Sequence, residues 1–92
     1  IRSFADRATE RLFRDHICPA SWRSFEPIAL RKLDMVDAAV RLDDLRSPPG
    51  NRLEALKGDR RGQHSIRINQ QWRICFEWTP EGPERVEVVD YH

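Results

Sequence analysis

Arg67 and Arg73 stand on either side of a short polar stretch, Asn69-Gln70-Gln71, and an Asp90-Tyr91-His92 run follows later in the chain. Ile66 and Ile68 alternate with Ser65 and Arg67. Trp72, Ile74, Phe76 and Trp78 alternate with Arg73, Cys75 and Glu77, so two strands of period two are expected. For Ile66, Ile68, Trp72 and Ile74 to share one buried face, the connecting loop must hold an odd number of residues. A three-residue loop pairs Ile68 with Trp72 and sets Arg67 directly opposite Arg73 on the other face. Like charges opposed across strands are destabilising, and an anion between them would turn repulsion into a binding site. The bland alternative is two long side chains splayed into water.

The Asp90-Tyr91-His92 run offers complementary chemistry. A carboxylate beside an imidazole favours imidazolium, and Asp90 or a terminal carboxylate on His92 would supply that charge. His92 is therefore the expected proton donor or shuttle near neutral pH. Tyr91 offers a ring for base stacking and a phenol for a hydrogen bond. Cleavage of RNA by its own 2′-OH needs a base at that hydroxyl, cations for the crowded phosphorane and an acid for the departing 5′ oxygen. His, Asp, Tyr, Lys and Arg suffice for this, with no protein nucleophile.

The distribution of charge points to the same segment. The 92 residues carry a formal net charge of +1. Residues 52–73 hold Arg52, Lys57, Arg60, Arg61, Arg67 and Arg73 against Glu54 and Asp59, a net +4, whereas residues 74–92 carry a net −4. Arginine dominates, and its planar fork suits phosphate. A local anion site is expected here rather than a broad DNA-coating surface. Lys57, just before Gly58, is a third candidate cation at the site, and Arg52, Arg60 and Arg61 are candidates for RNA contacts. A solvated, charge-rich hairpin would look the same on charge alone.

With 39% hydrophobic residues and a mean hydropathy of −0.71, the core must be thin and the surface charged. The length suits one domain, spanning residues 1–92. No apolar run approaches the roughly 18 residues of a membrane span, no signal-peptide pattern opens the chain, and an initiator methionine is expected to be missing before Ile1. Cys18 and Cys75 form neither a CxxC motif nor a secreted disulfide framework, so a cytoplasmic setting is expected. His16, Cys18, His64, Cys75 and His92 lack paired ligand spacing, and neither a metal nor another cofactor is expected.

The elements that must position these groups are legible in outline. Ile1–Phe4 reads as a first strand, and Ser3-Phe4-Ala5-Asp6 as a capping box for a helix carrying Ala5, Ala8, Leu12 and Phe13 to about Asp15. A second helix presents Phe25, Ile28, Ala29, Leu33, Val36 and Val40 on one face, with Arg31, Lys32, Asp34 and Asp37 mostly opposite. Pro27 belongs in its first turn, which places the cap at Ser24. After the loop Arg46–Asn51 come strands Leu53–Leu56, the two strands around Arg67 and Arg73, and a last strand Arg85–Val89. The order β-α-α-β-β-β-β implies an α+β domain, two helices on one face of a mostly antiparallel sheet.

Several stretches together resemble a known family. Glu54-Ala55-Leu56-Lys57-Gly58-Asp59-Arg60, Ser65-Ile66-Arg67-Ile68-Asn69, Trp72-Arg73-Ile74 and Asp90-Tyr91-His92 are similar to the HigB group, or plasmid maintenance system killer proteins, of the RelE/ParE toxin superfamily. Ile1-Arg2-Ser3-Phe4 and Leu30-Arg31-Lys32-Leu33 also fit, so the likeness spans nearly the whole chain. It implies a RelE-like fold and a toxin that cleaves mRNA in the ribosomal A site without a metal. It also implies neutralisation by a HigA-like antitoxin with a helix-turn-helix domain. Carried over by position, Lys57, Arg67 and Arg73 would bind and stabilise the scissile phosphate. Asp90, Tyr91 and His92 would position the nucleotide and move protons. Some relatives have histidine where this chain has Glu54, which leaves a weak base or a solvent-facing carboxylate, the latter preferred. Ser21–Pro27, with Trp22, departs from the family pattern and leaves the start of the second helix open.

Competing readings are a ParE-like gyrase inhibitor, a non-catalytic RNA- or ribosome-binding module, and a structural interaction domain. The first lacks the strand arginine pair joined to Asp-Tyr-His. The second keeps Arg67 and Arg73 but makes His92 dispensable. The third leaves the arginine pair unexplained.

Overall fold

A computed structural model describes residues 1–91; His92 lies outside the described residues. Two helices, α1 (Arg7–Asp15) and α2 (Glu26–Ala38), precede four strands: β1 (Glu54–Ala55), β2 (Gln63–Arg67), β3 (Trp72–Thr79) and β4 (Gly82–Asp90). The strands form one antiparallel sheet in sequential order. This is the expected α+β arrangement, with the helices over one face.

The order of the sheet follows from its short connections, since antiparallel neighbours need only a hairpin. Between β2 and β3 the expected register is observed. Arg67 pairs with Arg73, and the Ile68 N–H donates to the Trp72 carbonyl at 2.9 Å. Asn69 closes the turn by accepting from the Gln71 and Trp72 N–H groups, each at 2.8 Å, as a turn asparagine does. Between β3 and β4 the register shifts by one near Cys75 and Glu77, and Arg85 takes the extra residue in a left-handed conformation, φ 53°.

One face of the sheet meets the helices. Ile66, Ile68, Ile74, Phe76, Val86 and Val88 pack with Leu12, Phe25, Ala29, Leu33, Val36 and Leu45. Each large side chain so buried contributes about 1.5–3 kcal/mol, which is how a thin core suffices. Trp72 anchors one end against Phe25, ring centroids 5.0 Å apart, and Trp22 lies 6.2 Å away on the same ring.

The amino-terminal segment is a correction. Ile1–Phe4 does not form a strand; a single parallel bridge joins Phe4 to Val86. The Ser3 carbonyl and hydroxyl accept from the Val86 and Arg85 N–H groups, so Ser3 is committed to β4. Asp6, not Ser3, caps α1, its carboxylate accepting from the Thr9 N–H at 2.7 Å. Thr9 is buried and its hydroxyl accepts from the Val88 N–H at 2.9 Å. Residues 2–9 thereby cover the outer edge of β4, which would otherwise present unpaired donors.

The second helix begins later than expected. A 3₁₀ turn over Ala20–Phe25 buries Trp22 and Phe25 and runs directly into α2, so Ser24 caps nothing and Phe25 takes the cap position without a side-chain bond. Pro27 lies in the first turn, as expected. Two helix positions differ from the sequence pattern. Val40, past the end of α2, is 84% exposed, and Lys32 is buried. The expected strand Leu53–Leu56 shrinks to Glu54–Ala55, because the preceding turn Pro49–Asn51 and a left-handed Arg52 (φ 47°) delay its entry into the sheet.

Candidate functional site

The opposite face of the sheet carries the chemistry. Glu54, Ser65, Cys75 and Glu87 form a row across the four strands. Beside it runs the pair Arg67 and Arg73, with Val89 next along. Because side chains alternate along a strand, burying Ile66 and Ile74 beneath forces Arg67 and Arg73 above. A cleft of about 340 Å³ opens here, lined by Arg52, Arg67, Asn69, Gln70, Arg73 and Tyr91.

Arg73 is held on every side of its fork. Its Nε donates to the Ser65 hydroxyl at 2.8 Å, Nη2 to the Arg52 carbonyl at 2.7 Å, and Nη1 meets the Glu54 carboxylate at 3.1 Å. Its guanidinium carbon lies 5.7 Å from the centre of the Tyr91 ring, a cation–π separation. Only 12% of the side chain is exposed. Such a fixed fork is pre-organised, so little rotamer entropy remains to be lost when an anion binds. Arg67 is tied at one point, Nε to the Asn69 carbonyl at 3.0 Å, which leaves Nη1 and Nη2 without a protein partner among the described residues. Arg52 is exposed, and it lines the same cleft. The Arg67 and Arg73 guanidinium groups thus meet at a hollow that Arg52 also lines, with the Glu54 carboxylate bonded to Arg73.

Tyr91 is placed by its backbone, whose N–H donates to the Gln71 carbonyl at 2.8 Å. Asp90 pairs with Trp72 across the strands, and Gln71 donates to its carboxylate at 2.9 Å; it is adjacent in sequence to Tyr91 but is not part of the cleft lining. Below them the buried Cys75 thiol is pushed up to about 11 by burial, which keeps it protonated and inert at neutral pH.

The candidates therefore separate. Arg52, Arg67, Arg73 and Tyr91 come together in the cleft, and Asp90 lies outside its lining. Glu54 does more than face solvent: it is the counter-ion of Arg73. Arg60 is taken up by Glu87 at 2.7 Å and Gln63 at 3.0 Å, and that carboxylate raises its pKa above the usual arginine range. Lys57 is exposed and follows Leu56, whose N–H donates to the Gln63 carbonyl, at the end of the β1–β2 pair away from the cleft. Arg61 is exposed in the turn that follows. His92 lies outside the described residues. Among the described residues, no three His, Cys, Asp or Glu side chains gather as a metal-binding group. Asn69 and Gln70 line the cleft without having been singled out from sequence. Their place in the three-residue loop beside Arg67 was the available signal.

Comparison with known proteins gives the family. Residues 2–92 match the model of HigB-like toxins, described as the RelE-like toxin of the type II toxin–antitoxin system HigB. The chain belongs to the HigB-like toxin family. It is 42% identical over 79 residues to Toxin HigB-1 of Vibrio cholerae serotype O1, covering 82% of this chain and 80% of that protein. An uncharacterised protein of Haemophilus influenzae is 43% identical over 51 residues, which span 55% of this chain and 50% of its own length. As a member of this HigB-like family, the chain is a toxin of a type II toxin–antitoxin pair, and an antitoxin is its implied partner. Among the described residues, no helix is long and apolar enough to cross a membrane.

Proposed function

We propose that this HigB-like toxin is an endoribonuclease that cuts mRNA, in the ribosomal A site, by transphosphorylation through the RNA's own 2′-OH. The observation that carries the reading is the Arg67–Arg73 pair, opposed across β2 and β3 and facing Tyr91 in one cleft. Two like charges in register cost stability unless something negative joins them. A phosphodiester fits that place, bound by the loose Nη groups of Arg67 and the fixed fork of Arg73.

In the reaction a bond forms between the 2′ oxygen and phosphorus while the bond from phosphorus to the 5′ oxygen breaks. The products are a 2′,3′-cyclic phosphate and a 5′-hydroxyl. Arg67 and Arg73 neutralise the extra charge of the phosphorane, a role worth several kcal/mol when the donors are pre-organised. Tyr91, already against the Arg73 guanidinium, stacks the neighbouring base. Asp90 and His92 carry the proton from the 2′-OH and to the 5′ oxygen. Arg52 holds the adjoining backbone within the cleft, and Lys57, Arg60 and Arg61 meet RNA or ribosome beyond it. This chemistry needs no metal. The toxin acts in the cytoplasm of a bacterium and is silenced by a HigA-like helix-turn-helix antitoxin.

The test is mRNA cleavage in a purified translation system, comparing wild type with Arg73→Ala and His92→Ala, with and without ribosomes. Ribosome-dependent cuts within the reading frame, lost in both variants, are the expected outcome. Intact message with blocked translation would replace this reading with a non-catalytic binding module. Intact message with normal translation would point instead to gyrase.

A further inference from the structure

Lys32 is 7% exposed, yet no carboxylate pairs with it among the described residues. Its Nζ donates to the Asn51 side-chain carbonyl at 2.6 Å. Burial lowers its pKa, and the neighbouring charges of Arg31 and Arg67 lower it further. A buried ammonium without a counter-ion is an expensive way to fill space, since an apolar side chain of similar length would avoid the desolvation cost. Stability alone does not explain it.

Asn51 supplies the rest of the device. It is fully buried, and its Nδ2 donates to the Leu45 carbonyl at 3.1 Å and the Ser47 carbonyl at 3.3 Å. One side chain at the end of the Pro48–Asn51 turn thereby ties together the segment before that turn and, through Lys32, helix α2. The next residue is Arg52, held in a left-handed conformation, φ 47°, by its N–H bond to the Pro49 carbonyl at 3.1 Å. The Arg52 carbonyl accepts from Arg73 Nη2, and Arg52 lines the cleft. A continuous chain of bonds therefore runs from the core side of the sheet to the fork of Arg73.

We propose that Lys32 and Asn51 are positioning residues of the anion cleft: together they fix the carbonyl of Arg52, and through it the orientation of the Arg73 guanidinium. Neither touches the anion. The consequence for RNA rests on the function proposed above, but the effect on Arg73 does not.

The experiment uses the full-length toxin and reads two quantities. The first is the Arg73 Nε–Hε resonance and its solvent exchange, which report the hydrogen-bonded fork. The second is the affinity for a short RNA blocked by a 2′-deoxy group at the cut site. Lys32→Met and Asn51→Ala are compared below their melting temperatures, each also in an Arg73→Ala background. Asn51→Ala keeps the Lys32 charge but cuts the tie. The double variant Lys32→Met/Asn51→Ala leaves no buried ammonium and serves if a single variant fails to fold. Positioning predicts that both substitutions shift the Arg73 resonance, speed its exchange and weaken RNA binding by roughly three- to tenfold. That loss should largely vanish in the Arg73→Ala background, because the two sites act through one contact.

An unchanged Arg73 resonance overturns the proposal. So does a loss of affinity that is equal in both backgrounds, which would make Lys32 a plain electrostatic contributor. If wild type binds no RNA but the resonance still moves, the positioning role stands and the RNA-cleavage reading falls.

Discussion

Glu54 occupies one nitrogen of Arg73 at 3.1 Å, so an incoming phosphate must share that guanidinium with a carboxylate. Glu54→Gln removes the charge but keeps an oxygen that can accept from Nη1, so the fork should hold its place. A phosphate seated between Arg67 and Arg73 would lie at about 6 Å from the Glu54 carboxylate, where Coulomb repulsion is roughly 0.7–1.4 kcal/mol for an effective dielectric of about 40–80. The high-dielectric end applies best, because half of the Glu54 side chain is exposed. Losing the ion pair, worth about 0–1 kcal/mol, weakens the free protein and the complex alike and so acts on stability rather than on affinity. Glu54→Gln should therefore tighten binding of the 2′-deoxy-blocked RNA by about threefold at low salt, each 1.4 kcal/mol being a factor of ten. Fluorescence anisotropy at about 50 and 200 mM salt measures it, and the gain should shrink as the Debye length contracts. Equal or weaker binding at low salt would refute the repulsion argument. Tighter binding with cleavage lost would instead assign Glu54 as the base for the 2′-OH.

Arg73→Lys should weaken RNA binding by about tenfold or more, because a point charge cannot hold Ser65, Arg52, Glu54 and phosphate with one planar fork; the same anisotropy titration reads it. Thr9→Val leaves the buried Val88 N–H without its acceptor and should cost about 1–3 kcal/mol in urea unfolding, with little effect on RNA affinity. Thiol labelling at pH 8 should modify Cys18 well before Cys75. The former is partly exposed, with burial and Glu26 raising its pKa modestly, whereas the latter is fully buried with a thiol near 11. Equal rates followed by mass spectrometry would show that the sheet opens on the labelling timescale.

Much of the fold was legible because two periods dominate it. The alternation around Asn69–Gln71 specified the β2–β3 register to the residue, since a slip of one would expose Ile66 and Ile74. The amino-terminal segment was misread for a different reason. Ser3 and Asp6 are equally good caps in isolation, and only the bonds from β4 to Ser3 decide between them. Lys32 was misread because a helical wheel treats lysine as solvent-facing, whereas Asn51, nineteen residues later, offers it a buried acceptor. The site divides in the same way. Arg67, Arg73 and Tyr91 were recognisable from type and register, while Asn69 and Gln70 are defined as cleft residues only by the shape around them.

By itself the sequence determined the α+β layering, the opposition of Arg67 and Arg73, and the HigB-like family. These depend on local periodicity and on residue types at short spacing, which chain order preserves. Only the tertiary structure decided that Arg60 is taken up by Glu87, that Lys57 stands apart from the cleft, and that Glu54 is the counter-ion of Arg73. It also decided that Arg52 joins the site through a left-handed turn tied to helix α2. Such choices are made between groups far apart in sequence, where a few ångströms determine whether a charge is paired, buried or left in water, and periodicity carries no information at that scale.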